Sequence, residues 1–354
     1  MVDINKIIDE KQYQMLKNTE ITNSVIPEGY VDYTSIETPE KILLLLQGHQ
    51  IFISNILNPI TPYKRLLLYH GTGTGKSLAI HALAREYIYY FKRMKQQPSV
   101  IIIGFTEKIL INELLKFPDL GYIKTKEQDE LLRLRESTLE RDILKRRGLQ
   151  AAIKRRITDR VRGGYYKFMG YQKFALDLLI ITAKGAQKGL SHTYFYENED
   201  TFMKKIEDES KDGNVQINRE LIESLKYSLI ACDEIHNTYN MYEKNNRGMA
   251  IKLALDILEK EDPKSSPRVI FASATPLTSS PTEIVELLNL LIPLADFKRK
   301  EFFDQNKKLR PGALEKISKI ASGYVSFLKD SNIKDYPAKI MMGIPISGID
   351  FLKF

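Results

Sequence analysis

The sequence predicts an α/β protein: a parallel sheet with helices on both faces. Three observations point there. Four short apolar runs, Arg65–Tyr69, Val100–Gly104, Tyr227–Cys232 and Arg268–Ala272, have the length and unbroken apolar character of strands buried on both sides. Helical patterns separate them, at Lys76 to about Phe91, Lys108 to Lys116 and Met249 to Lys260. A glycine-rich loop follows the first run and opens the first of these helices, as a strand–loop–helix phosphate site requires.

The composition fits that class. A chain of 354 residues has room for one elaborated domain or two ordinary ones. With 43% apolar and 28% charged residues it is neither disordered nor fibrous. No apolar run approaches the ~18–20 residues of a bilayer crossing, so no membrane span is expected. The start, Met1-Val2-Asp3-Ile4-Asn5-Lys6, lacks a basic stretch followed by an apolar one, and an intracellular chain is expected. The single cysteine, Cys232, excludes an internal disulfide and a four-ligand zinc site; it reads as a small buried strand residue.

Along the chain, residues 1–37 read as a loosely structured lead-in with a turn at Ile26–Tyr30. Thr38-Pro39-Glu40 reads as a helix start, with the helix running to about Leu57 and ended by Asn58-Pro59. The sheet-bearing lobe is expected over 38–300, interrupted at 117–164 by a basic helical insertion, with 301–354 as a C-terminal segment. The net charge of +8 is concentrated there: from Arg133 to Arg162 there are eleven Lys or Arg against four acids. Two readings of this stretch stand side by side. One is a solvated helical face; the other is a surface that neutralises nucleic-acid phosphates through Lys145, Arg146, Arg147, Lys154, Arg155 and Arg156.

The chemistry-bearing residues begin with His70-Gly71-Thr72-Gly73-Thr74-Gly75-Lys76-Ser77. The glycines let backbone N–H groups turn onto a phosphate, Lys76 reaches the β- and γ-phosphates, and the Ser77 hydroxyl can ligate Mg²⁺. His70 departs from the usual Gly or Ala at the first position. Asp233-Glu234-Ile235-His236 follows the third apolar run, 157 residues after Lys76. Adjacent carboxylates at a strand's C-terminal edge suit a Mg²⁺ ligand, Asp233, beside a residue acting on the attacking water, Glu234. Ser273-Ala274-Thr275 follows the fourth run.

Taken in order, Gly73-Thr74-Gly75-Lys76-Ser77, Asp233-Glu234-Ile235-His236 and Ser273-Ala274-Thr275 resemble motifs I, II and III of superfamily 2 helicases, in the first of their two RecA-like lobes. The wording around them, His49-Gln50, Asn58 to Tyr63 and Leu66 to Lys76, is similar to the nucleoside triphosphatases of large cytoplasmic DNA viruses, with softer matches at Tyr166–Tyr171 and Gly323–Leu328. His70 is similar to that group's own form of motif I. The resemblance covers about 40–345 and implies a RecA-like P-loop fold, ATP and Mg²⁺ as cofactors, and Lys76, Asp233 and Glu234 as catalytic residues.

It further implies that His236, Ser273, Ala274 and Thr275 couple nucleotide state to nucleic acid. Gln50 would read the adenine edge, although the polar face of an amphipathic helix accounts for it equally. Thr106 would contact a nucleic-acid backbone, although a plain helix cap accounts for it equally. The implied partners are nucleic acid, DNA before RNA, a viral RNA polymerase or a second transcription-factor subunit, and a second RecA-like lobe. That lobe carries motifs V and VI with an arginine finger, which nothing after Thr275 supplies. The implied setting is the cytoplasmic viral factory, with packaging in the virion. The competing reading is a nucleic-acid-binding or assembly module that keeps a nucleotide pocket without efficient turnover.

Overall fold

The computed structural model describes residues 46, 48–104, 124–135, 137–159, 164–196, 199–239, 247–278 and 280–328. Its strands are β1 (Arg65–His70), β2 (Ser99–Gly104), β3 (Tyr166–Gly170), β4 (Leu179–Ile181), β5 (Val215–Ile217), β6 (Ser228–Asp233), β7 (Arg268–Ser273) and β8 (Val325–Leu328). Six of them form one sheet in the order β3-β2-β6-β7-β1-β8, every neighbouring pair parallel. β4 and β5 form a separate antiparallel pair. This is the α/β architecture, a parallel sheet with helices on both faces, that the sequence predicts.

The unbroken apolar runs follow from burial on both faces. Successive side chains of a strand point to opposite sides, so Leu66 and Leu68 enter one core and Leu67 the other. On the first side, Val100, Ile102, Leu229, Ala231, Ile270 and Ala272 pack under the helices Gly48–Ile56 and Lys76–Arg93. On the second, Ile101, Ile103, Ile230, Cys232, Val269 and Phe271 pack under Tyr171–Leu178, Gly248–Glu261 and Glu283–Leu291. Cys232 is fully buried, and burial pushes its thiol pKa well up, which keeps it an inert core residue. Among the described residues no helix is long and apolar enough to cross a membrane.

Two edges of the sheet lie outside the four expected strands. β3 forms from the Tyr166–Gly170 stretch and pairs with β2. β8 pairs with β1 from Leu67↔Val325 to His70↔Leu328, so the sheet runs past residue 300, where the lobe was expected to end. The insertion is helical where described: Thr125–Arg133 and Glu140–Thr158 lie between β2 and β3. The N-terminal lead-in, the Lys108–Lys116 helix and the segment after Leu328 fall outside the described residues.

Candidate nucleotide-binding site

β1, β7 and β6 are neighbours and parallel, so their C-terminal ends share one edge of the sheet. β1 delivers the loop Gly71–Gly75, β7 delivers Ser273, and β6 delivers Asp233. At ~4.8 Å per strand, the Asp-Glu corner and the phosphate loop stand roughly 10 Å apart along that edge, with Ser-Ala-Thr between them.

The phosphate loop is a tight turn with Gly73 and Gly75 at φ 77° and 79°, a left-handed geometry that side chains disfavour. Helix Lys76–Arg93 begins directly after it, aiming its N-terminal N–H groups at the loop's concavity. The Lys76 ammonium donates to the carbonyls of His70 and Gly71, each at 2.9 Å. The Thr74 hydroxyl donates to the Gly71 carbonyl at 2.9 Å.

Two residues of the preceding helix brace the loop from behind. His49 Nε2 lies 3.0 Å from the Thr74 carbonyl, and Gln50 donates to the Gly75 carbonyl at 3.3 Å. A Cβ on Gly75 would come within 2.4 Å of the Gln50 amide, so loop and helix are in close contact. Gln50 is buried, not on a solvent-facing polar surface.

His70 is fully buried, with Nε2 3.0 Å from the Ser326 hydroxyl of β8 and its ring edge-on to His49. Burial, then the neighbouring His49 and Lys76, push its pKa down to about 3, so the imidazole is neutral. The departure at motif I thus has a structural role: a neutral polar group ties β1 to β8. Sequence reasoning noted His49 beside Gln50 and Ser326 within Gly323–Leu328 only as part of the resemblance, and gave neither a role at the loop.

At the other corner, Glu234 takes left-handed backbone angles, φ 51° and ψ 53°, which turn the chain sharply into a short 3₁₀ segment, Ile235–Thr238. The Tyr171 hydroxyl donates to the Asp233 carbonyl at 2.7 Å and pins the end of β6. His236 Nδ1 lies 2.8 Å from the Ser273 hydroxyl and 3.3 Å from a Glu234 carboxylate oxygen. The Thr275 N–H donates to the same Ser273 oxygen at 3.0 Å. Tyr239, just past the corner, donates to the Pro276 carbonyl at 2.7 Å. Asp-Glu-Ile-His and Ser-Ala-Thr are therefore joined at His236–Ser273, and the segments that follow them at Tyr239–Pro276.

The donor set suits magnesium. A Ser77 hydroxyl and an Asp233 carboxylate are hard oxygen ligands, few in number, as for an ion that keeps waters and takes its remaining ligands from phosphates. Among the described residues no cluster of three or more His, Cys, Asp or Glu forms a separate metal site.

The six basic candidates of the insertion do not form one surface. Arg156 makes a two-pronged contact with Glu127, both bonds 2.7 Å. Lys145 pairs with Glu130 at 2.7 Å, and Arg146 donates to the Arg135 carbonyl at 2.9 Å. These three tie the two insertion helices together. Arg147, Lys154 and Arg155 are exposed. Thr106 lies outside the described residues.

No family model matches the chain. It is 38% identical over 332 residues, 86% of its length, to the early transcription factor large subunit homolog of African swine fever virus. It is 27% identical over 314 residues to a protein of Acanthamoeba polyphaga mimivirus provisionally named an ATP-dependent RNA helicase, and 21% identical over 295 residues to a helicase-named protein of Frog virus 3. The chain spans 29%, 25% and 24% of the lengths of these three relatives. Among solved structures it matches a Sulfolobus solfataricus SWI2/SNF2 ATPase core in complex with dsDNA, at 14% identity and a TM-score of 0.38, over 80% of this chain and 42% of that one. Over the stretch they share, the chain is similar to the early transcription factor large subunit homolog of African swine fever virus and, at lower identity, to helicase-named proteins of other large DNA viruses.

Proposed function

We propose that the chain is the ATP-binding lobe of a nucleic-acid-dependent ATPase that serves viral transcription in the cytoplasmic viral factory. The observation that carries this reading is the convergence of three adjacent strand ends, bringing the Lys76 loop, the Asp233-Glu234 corner and Ser273 to one edge. Phosphates would take the place of the loop carbonyls as partners of Lys76. Ser77 and Asp233 would hold Mg²⁺, which neutralises phosphate charge when bound. Glu234 would accept a proton from the attacking water. His236, bridging Glu234 and Ser273, would relay the state of that carboxylate to the Ser273-Ala274-Thr275 turn.

One observation favours the second reading, a module that binds nucleotide without efficient turnover. One Glu234 carboxylate oxygen is already held 3.3 Å from His236, which leaves only the other to act on water. Steady-state ATP hydrolysis by this chain, with and without single-stranded DNA, separates the two. Slow turnover that single-stranded DNA stimulates and Glu234→Gln removes is the expected result. Tight Mg·ATP binding with no turnover in either condition selects the second reading. An arginine supplied by a second lobe is worth ~10³–10⁵ in rate, so a protein of the relatives' length should turn over correspondingly faster.

A further inference from the structure

The division of the insertion's cations has a geometric cause. At 100° per residue, Arg147, Ala151, Lys154, Arg155 and Thr158 fall within about 100° of one another around the helix Glu140–Thr158. Lys145, Leu149, Ile153, Arg156 and Ile157 fall on the other side, where Ile153 and Ile157 are buried and Arg156 and Lys145 meet Glu127 and Glu130. The outward face is smooth as well as basic. Ala151 is exposed between the cations, Gly148 and Ala152 are exposed beside them, and a Cβ at Gly148 would meet no described residue within 4 Å.

That face leads to a cavity of about 400 Å³ at the open edge of β3, lined by Lys154 and Thr158 of the helix, by Tyr166, Lys167 and Phe168 of β3, by Ile101 of β2 and by Ser224. Lys167 is exposed, and the Tyr166 and Phe168 rings stack at 5.6 Å. Tyr166 opens β3 and pairs with Val100 near the start of β2, so the cavity lies toward the opposite end of the strands from the phosphate loop.

We infer that Arg147, Lys154, Arg155 and Lys167 form a track for the backbone of single-stranded nucleic acid, with the β3 cavity taking an unpaired base. The inference rests on the nucleic-acid partner proposed above and gives it a place on the molecule. Charge complementarity selects a polyanion: four cations are exposed along the path, Glu127 and Glu130 are turned to the other side of the helix, and the acids that remain near the face, Glu140 and Asp159, stand at its two ends. From Arg147 to Thr158 the helix rises ~16 Å, long enough to pass several phosphates. Ala151 between the cations, with Gly148 and Ala152 beside them, lets a sugar–phosphate backbone approach the helix surface. A cavity of this size with an aromatic wall accommodates a base only when it is unpaired, which selects a single strand over a duplex.

The test measures binding of a fluorescent oligothymidylate of about twelve nucleotides to the full chain, by anisotropy, as salt is raised. Four phosphate contacts at ~0.7 each predict a slope of roughly −3 in log K against log salt, or a ~50-fold loss of affinity between 50 and 200 mM. The variant Arg147→Gln/Lys154→Gln/Arg155→Gln/Lys167→Gln should lose most of that slope. The control Lys300→Gln/Lys307→Gln/Lys308→Gln/Lys319→Gln removes the same charge elsewhere and should keep it. Equal losses in both variants, no loss in either, or tighter binding of a duplex of the same length overturns the track. Mant-ATP binding, followed in the same samples, reports separately on the nucleotide site: its absence with an intact salt slope would remove the ATPase reading and leave the track standing.

Discussion

The phosphate-loop edge and the insertion hairpin both depend on polar and charged side chains, but they hold them in opposite ways. At the loop edge, His70, Gln50 and Ser273 are buried, and their partners are backbone carbonyls, hydroxyls or other rings fixed by the sheet. In the hairpin, Lys145 and Arg156 stay partly in water and pair with carboxylates on the neighbouring helix, and Arg133 pairs with Glu130 on its own. Buried polar groups cost 1–3 kcal/mol when left unpaired, whereas exposed ion pairs contribute 0–1 kcal/mol and weaken with salt. The first region should therefore respond sharply to single substitutions and weakly to salt, and the second the reverse.

The largest expected effects test the loop edge. Lys76→Ala removes charge-assisted contacts worth ~1.5–3 kcal/mol each, so Mant-ATP affinity should fall ~100-fold or more and turnover should vanish. Glu234→Gln should keep Mant-ATP binding while turnover falls ~10²–10⁴-fold, because its role is confined to the water. Equal loss of binding in both variants would contradict the division of roles.

Next in size is the link between the two motifs. Ser273→Ala removes the hydroxyl that meets His236 and the Thr275 N–H. It should leave ATP binding intact and reduce nucleic-acid stimulation of turnover ~5-fold or more, in the range of a typical coupling between sites. Unchanged stimulation would return the pair to a purely structural contact.

Acid sharpens the contrast in stability. Burial holds His70 near a pKa of about 3 and His81 near about 4, while the unfolded chain protonates both near 6.5. The unfolded state therefore binds more protons below pH 6.5, and stability must fall as pH falls toward those folded values. Between pH 7 and 5 the loss is about 2 kcal/mol for each histidine, read from urea melts at the two pH values. Among the described residues His81 Nδ1 has no hydrogen-bond partner, so His81→Leu should remove its share of the drop. The smallest effect belongs to the hairpin: a double-mutant cycle on Arg156 and Glu127 should give a coupling of about 0.5–1 kcal/mol that shrinks in high salt. A coupling several times larger that ignores salt would erase the distinction between the two regions.

The same contrast explains what could be read from the sequence. The phosphate loop and the Asp233-Glu234-Ile235-His236 corner were legible because each is a short run whose chemistry follows from adjacent residues. Strands β1, β2, β6 and β7 were legible because burial on both faces leaves an unbroken apolar run. β3 was not, since its exposed Lys167 interrupts the apolar pattern of an edge strand. His49 was missed as a loop brace and Ser326 as the partner of His70 because their partners lie 25 and 256 residues away, a separation no local pattern reports. The inward-turned half of the basic cluster was hidden for a related reason. Glu127 and Glu130 precede the window in which charge was counted, and only the folded hairpin sets them against Arg156 and Lys145.

The pairing of β8 with β1 bears on how the lobe can be handled in solution. β1 lies inside the sheet only because Val325–Leu328 covers its outer side. A chain cut at residue 300 would leave the strand that carries the phosphate loop as a bare rim, with the N–H and C=O groups of Leu67 to His70 open to other molecules and Tyr69 already partly exposed beside them. Such a rim templates strand addition between molecules, so the shortened lobe should self-associate and precipitate where the chain extended through Leu328 stays dispersed.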